Sequence, residues 1–251
     1  MAAIPPMPTA STAPSLITPE TTIGALVAAR PALARLFERL GIDYCCGGKQ
    51  TLAAACARRG LDLTTVTAQL ATAEAALAAG PAEIDAAAMT LSGLADHIEQ
   101  THHDYVKQEL PRLLEMADRV ATKHGWRDSR LAEVAATVHQ LTQEMLSHMH
   151  KEETILFPLV RQIAGGAADG FHCGSIAHPI RQMEAEHEAA GQAISRLRGL
   201  TDDFTPNAEA CNTHRALLAG LAEFESDLHR HVHKENNVLF PRTLARAGAG
   251  G

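Results

Sequence analysis

The stretch His148-Met149-His150-Lys151-Glu152-Glu153-Thr154-Ile155-Leu156-Phe157-Pro158 decides how this chain is read, because it returns as His231-Val232-His233-Lys234-Glu235-Asn236-Asn237-Val238-Leu239-Phe240-Pro241. In each copy a histidine precedes a glutamate by four residues. On a helix that spacing stacks the two side chains on one face. Two such pairs facing each other can hold a metal centre between two helices.

Projected at about 100° per residue, His148 and Glu152 share the apolar stripe of Val134, Leu141, Ile155 and Leu159, whereas His150 and His139 point away from it. His231 and Glu235 share the stripe of Leu217, Phe224, Leu228 and Val238, and His233 is expected to face outward. His187 sits amid Ile176, Ile180, Met183 and Ile194. On the preceding helix Leu91, Leu94, Ile98 and Tyr105 favour His102 as the inward residue, while Val106, Leu110 and Leu113 favour His103, and Pro111 can bend the helix nearby. Periodicity leaves that choice open.

A buried carboxylate without a partner is costly or becomes neutral. Glutamates and histidines gathered on core faces therefore call for a cation. Four imidazoles and two carboxylates without thiolate suit non-haem iron, with manganese or zinc as the other ions such a set accepts. The two glutamates are placed to bridge a pair of irons.

Around these motifs the chain reads as all-α, since Ala and Leu dominate and aromatic residues are scarce. Four long helices are expected at about 89–123, 129–163, 175–199 and 207–235, with a short C-terminal helical piece. The breaks between them are rich in Gly, Pro, Asp and Asn. An antiparallel four-helix bundle over 89–246 follows. Upstream, residues 1–17 read as a flexible tail, 18–80 as a small helical domain and 81–88 as a linker, and 247–251 form a C-terminal tail. In the small domain Thr21 or Thr22 caps a first helix, Pro31 opens a second that stops at Gly41, and Gly60 ends a third.

The formal net charge of −7, without a basic run, argues against nucleic acid. No apolar stretch is long enough for a membrane span, and no cation precedes Arg30 to form a signal-peptide start. A cytoplasmic protein is expected. Five cysteines, two of them adjacent at Cys45 and Cys46, do not make a disulfide framework. Cys56, Cys173 and Cys211 read as buried thiols.

At the repeated motif the chain resembles the hemerythrin-like di-iron domains. With Asp43-Tyr44-Cys45-Cys46-Gly47-Gly48-Lys49-Gln50-Thr51-Leu52 and Glu186-His187 it resembles the RIC (repair of iron centres, YtfE/ScdA-type) family over about residues 20–246. The resemblance implies a stress-response protein with two non-haem irons, bridged by carboxylate and oxo or hydroxo groups, that repairs iron–sulfur clusters damaged by nitric oxide or oxidants. Its ligand set carries over to His103, His148, Glu152, His187, His231 and Glu235. His103 takes precedence over His102 because the family's ligand here stands in a His-Asp step.

Iron–sulfur client proteins are the implied macromolecular partners and nitric oxide or oxygen the implied small ligands. A homodimer is compatible with the sequence. The adjacent Cys45 and Cys46 permit three readings, a strained redox disulfide, a thiol pair that handles iron or persulfide, or structural cysteines in a turn; composition favours the last, and the resemblance sets a redox or iron-handling role level with it. Glu144, one turn before His148, can stand behind that ligand or line a route to it; Glu186 can do the same, with a solvated position preferred for it. Oxygen carriers resemble this bundle but place a second histidine one turn from that of the third helix. Here those positions are Met183 and Gly191, which favours nitric oxide chemistry or iron donation over oxygen storage. Nitric oxide reductase-like turnover is compatible with such a centre; a hemerythrin-like module that binds or senses oxygen or nitric oxide is the alternative.

Overall fold

A computed structural model describes residues 17–77, 85–166 and 175–248. Most of the expected tail and linker, Cys173 and residues 249–251 lie outside them. Among the described residues there is no β-strand, only an isolated bridge between Thr22 and Thr51.

The N-terminal part is built from α1 (Ile23–Ala29), α2 (Ala34–Arg39), α3 (Leu52–Arg59) and α4 (Leu63–Leu77). Local chemistry sets the ends. The Thr22 hydroxyl accepts from Ala25 N at the start of α1, and Thr51 does the same for Ala54 N at the start of α3. Pro31 opens a short 3-10 turn that leads into α2, and Gly60 closes α3 at φ +67°, a left-handed conformation that glycine adopts without strain. These helices bury Ile23, Leu26, Leu33, Phe37, Leu52 and Leu70 in a core of their own. Ile17 joins that core, so the expected tail stops short of it.

The bundle follows. Its first helix is continuous from α5 (Leu91–Ile98) through a π-helical turn (Glu99–His103) into α6 (Asp104–His124), and it passes through Pro111. The second runs from α7 (Arg130–Lys151) through a π turn (Glu152–Leu156) into α8 (Phe157–Ala164). α9 (Ala177–Leu200) is the third. The fourth joins α10 (Asn212–Lys234) through another π turn (Glu235–Leu239) to α11 (Phe240–Gly248). α6 packs on α7 and α10, α7 also packs on α9, and α8 packs on α5 and α11. Ala86, expected in the linker, is instead packed into the core at the α5 end.

The π turns explain one difference from the helical projection. Each inserts a residue and rotates the downstream helix by about 100°. Beyond Glu152 the stripe therefore slips by one position: Ile155, expected inside, is 53% exposed, and Leu156 is buried in its place at 1%. The apolar core is also divided. One cluster holds Val106, Met145, Ala190 and Leu228, and the other holds Ile98, Leu156, Met183 and Val238. The repeated His/Glu motif lies in the layer between them.

Candidate metal centre

Two groups of donors meet in that layer. His103, Glu152, His231 and Glu235 form one, and His148, Glu152, His187 and Glu235 form the other; within each group the ligand atoms lie within 4.8 Å of one another. All six residues are buried, and both groups share the two glutamates. A π turn begins at each glutamate and a third ends at His103, so three of these six positions lie where the helix is locally widened.

The distances test whether these residues fit a cation. His148 Nε2 stands 3.0 Å from His187 Nε2, and His103 Nε2 stands 3.2 Å from His231 Nε2. His187 Nε2 is 3.0 Å from Glu235 Oε2, His231 Nε2 is 3.1 Å from Glu235 Oε1, and His148 and His103 Nε2 are 3.2 and 3.4 Å from Glu152 Oε2. Two donors bound at about 2.1 Å to one ion at a right angle are about 3.0 Å apart. Both Glu152 oxygens and Glu235 Oε2 are buried without a hydrogen-bond partner among the described residues. A cation supplies the contact they lack, and the residues fit one.

The electrostatics agree. Burial and the facing Glu235 push Glu152 up, but His148 and His103 outweigh them and its carboxyl sits below the usual range. Burial also opposes ionisation of Glu235, which His231 and His187 hold well below that range. Burial lowers His148, yet Glu152 and Glu186 raise it to about 10, and glutamates raise His103 likewise. The layer stabilises positive charge.

Outside this layer three of the four imidazoles are aimed by acceptors, whereas His231 Nδ1 is buried without a hydrogen-bond partner among the described residues. The Nδ1–H of His148 donates to Glu186 (2.8 Å), that of His103 to Glu153 (2.8 Å) and that of His187 to Asn236 Oδ1 (2.9 Å). This commits Nδ1 and leaves each Nε2 lone pair directed inward. Lys107 contacts Glu153, and Lys151 contacts Glu186. Phe157 stacks on His103 and Phe240 on His187, so the Phe-Pro step of the repeat supports an imidazole from another helix in each copy.

His102 is buried too but stands outside both groups. Its Nδ1–H donates to Asp227, its Nε2 accepts from Lys234, and its ring stacks on His231 at 5.4 Å. Burial outweighs Asp227 and lowers its pKa to about 4.

Several expectations need correction. Glu186, expected in a solvated position, bonds His148, because its place beside His187 on α9 turns it towards α7. His233, expected outward, is 6% exposed, because Tyr44 and the cysteine turn pack over that face of α10: its Nδ1 lies 3.4 Å from Tyr44 O. Cys211 is only half-buried at the N-cap of α10. His139 and His150 are exposed and Cys56 is buried, as expected.

Glu144 bonds Gln140 rather than a ligand. It lines a cleft of about 320 Å³ with Ser147, His148, Lys151 and Glu186. Glu153, Asn236 and Asp227 were missed in the sequence; the first two adjoin ligands in the chain, which is the one signal that marks them.

Cys45 and Cys46 are free thiols whose turn packs against the bundle. Asn237 Nδ2 donates to Cys45 O (2.9 Å) and Tyr44 O (3.3 Å). A Cβ on Gly191 would lie 4.0 Å from Cys46 Sγ, so the cysteine turn stands beside the position where oxygen carriers were expected to differ. Cys46, Asp43 and burial all raise the Cys45 thiol above its usual range.

A helical bundle that gathers histidine and glutamate around buried, orphaned carboxylate oxygens defines a cation-binding domain of the hemerythrin class. The family model described as "Hemerythrin HHE cation binding domain" matches residues 94–243, and the ScdA_N model, described as a domain of unknown function (DUF542), matches residues 19–74. The chain belongs to the family of the iron–sulfur cluster repair protein YtfE. It is 40% identical over 225 residues to that of Musicola paradisiaca (strain Ech703), with 90% of this chain and 96% of the relative covered. It is 41% identical over 223 residues to that of Citrobacter koseri (strain ATCC BAA-895 / CDC 4225-83 / SGSC4696), covering 89% and 96%. The protein of the same name from Yersinia pestis (strain Pestoides F) is 40% identical over 224 residues, with 89% and 96% covered.

Proposed function

We propose that this chain is a repair protein of two domains, 18–80 and 89–246, which restores iron–sulfur clusters damaged by nitrosative or oxidative stress in cytoplasmic client proteins. Two non-haem irons would be held in the bundle, one by His103 and His231 and the other by His148 and His187, with Glu152 and Glu235 offered to both. The observation that carries the reading is the sharing of both glutamates by two pairs of histidines.

Bound iron supplies a transferable ferrous ion and open positions for nitric oxide. The residues do the rest. Glu153, Glu186 and Asn236 fix the imidazoles of His103, His148 and His187, Phe157 and Phe240 lie flat on two of these, and apolar clusters pack above and below the layer. No helix among the described residues is long and apolar enough to cross a membrane.

The test is repair itself. Iron-loaded protein mixed with an iron–sulfur enzyme inactivated by nitric oxide is expected to restore its activity while losing iron. Recovery no better than with an equal amount of free ferrous salt would overturn the reading.

A further inference from the structure

The cysteine turn carries donors that the histidine–glutamate centre does not use. Cys45 Sγ and Cys46 Sγ stand 3.9 Å apart. Two thiolates bound to one ion at about 2.3 Å with a near-tetrahedral angle stand about 3.8 Å apart. Cys45 Sγ also lies 3.2 Å from Asp43 Oδ1, close to the about 3.1 Å separating a sulfur and an oxygen bound at right angles to one ion. The three ligand atoms lie within 4.8 Å of one another.

The carboxylate is fixed in place. Asp43 Oδ1 accepts from Cys45 N and Cys46 N (both 3.0 Å), and Oδ2 accepts from Gly47 N (2.9 Å). The remaining donor to Oδ1 is the Cys45 thiol, so departure of that proton leaves sulfur and oxygen aimed at one point. Beside the thiols is a cavity of about 100 Å³, lined also by Lys49, Glu184, Glu188, Asn236 and Asn237. It gives room for a water or a further carboxylate to complete the coordination.

We propose that Asp43, Cys45 and Cys46 form a second cation site, separate from the bundle centre, for a thiophilic divalent ion. Binding breaks two S–H bonds, forms two metal–sulfur bonds and releases two protons to water; no electron is transferred. Three protein ligands leave a position open, as an exchanging site requires and a structural one does not. The assignment of ferrous iron as the natural ion rests on the repair reading; the site itself does not. Asn236, which holds His187, also lines this cavity, so the second site adjoins the His187 end of the first.

Cobalt(II) is the probe, added to the iron-loaded full chain. The expected result is one equivalent bound with a sulfur-to-cobalt charge-transfer band in the near ultraviolet. The band is expected to vanish in Cys46→Ser and in the Cys45→Ser, Cys46→Ser double variant, with bundle iron unchanged. Asp43→Asn is expected to weaken binding at least about tenfold; because Asp43 also shapes the turn, Cys46→Ser is the deciding variant. No band, a band that survives the double variant, or oxidation of the pair without cobalt bound would overturn the proposal. Iron measured on the same samples separates the two readings: a bundle holding iron with no cobalt–sulfur band defeats this inference alone, whereas a bundle without iron defeats the repair reading.

Discussion

His148 Nε2 and His187 Nε2 face each other at 3.0 Å, while the Nδ1 of each is committed elsewhere, to Glu186 and to Asn236. Two lone pairs so close repel unless a proton or cation lies between them. His148→Ala is therefore expected to cost the ion on that side and to lower the iron content measured on purified protein. Glu235→Ala removes a donor from both groups and is expected to deplete iron further. Iron content equal to wild type in either variant would show that these residues are not ligands.

Acceptors behind the ligands set ligand orientation and basicity, and their loss typically costs about 10–100-fold in metal affinity. Glu186→Gln and Asn236→Ala are each expected to speed iron loss to a chelator within that range while leaving helix content unchanged. Glu144→Gln is the control, since Glu144 touches no ligand. A faster loss in the control would mean that the cleft, rather than the imidazole partners, governs release.

Acid should act through His233. Burial outweighs the contact with Tyr44 O and holds its pKa at about 4, against an unfolded value of about 6.5. The folded state thus binds fewer protons between those values. Its contribution to stability is present above about pH 6.5 and is lost as pH falls towards 4, by roughly 3 kcal/mol in all. In thermal melts from pH 7 to pH 4, His233→Asn is expected to show a shallower fall in Tm than wild type. Equal slopes would refute the assignment. His102, also held at about 4 by burial, leaves a residual slope in both.

Asn237 joins the fourth helix to the cysteine turn through two backbone carbonyls. Asn237→Ala is expected to cost about 1–2 kcal/mol and to raise the rate at which Cys46 is alkylated. Mass spectrometry after a short maleimide pulse reads that rate. An unchanged rate would show that the turn holds its place without Asn237.

The helices and the inward pairs His148/Glu152 and His231/Glu235 were legible because a 3.6-residue period projects correctly within one regular helix. The π turns were not. A single inserted residue leaves no periodic trace until the stripe resumes out of phase, which is why Ile155 was placed inside and why His102 and His103 could not be separated. Both turned out buried on the same turn, one in the donor layer and one against Asp227. Glu153, Glu186 and Asn236 act across helices, and a reading of one helix at a time does not register such partners. His233 was misplaced for the same reason: its cover comes from the N-terminal part of the chain.

The most direct measurement is Mössbauer spectroscopy with metal quantitation on protein purified after iron-replete expression. Two coupled irons per chain with nitrogen and oxygen ligation are expected, both lost in Glu235→Ala. Zinc in place of iron, or a single uncoupled iron that survives Glu235→Ala, would contradict the di-iron reading.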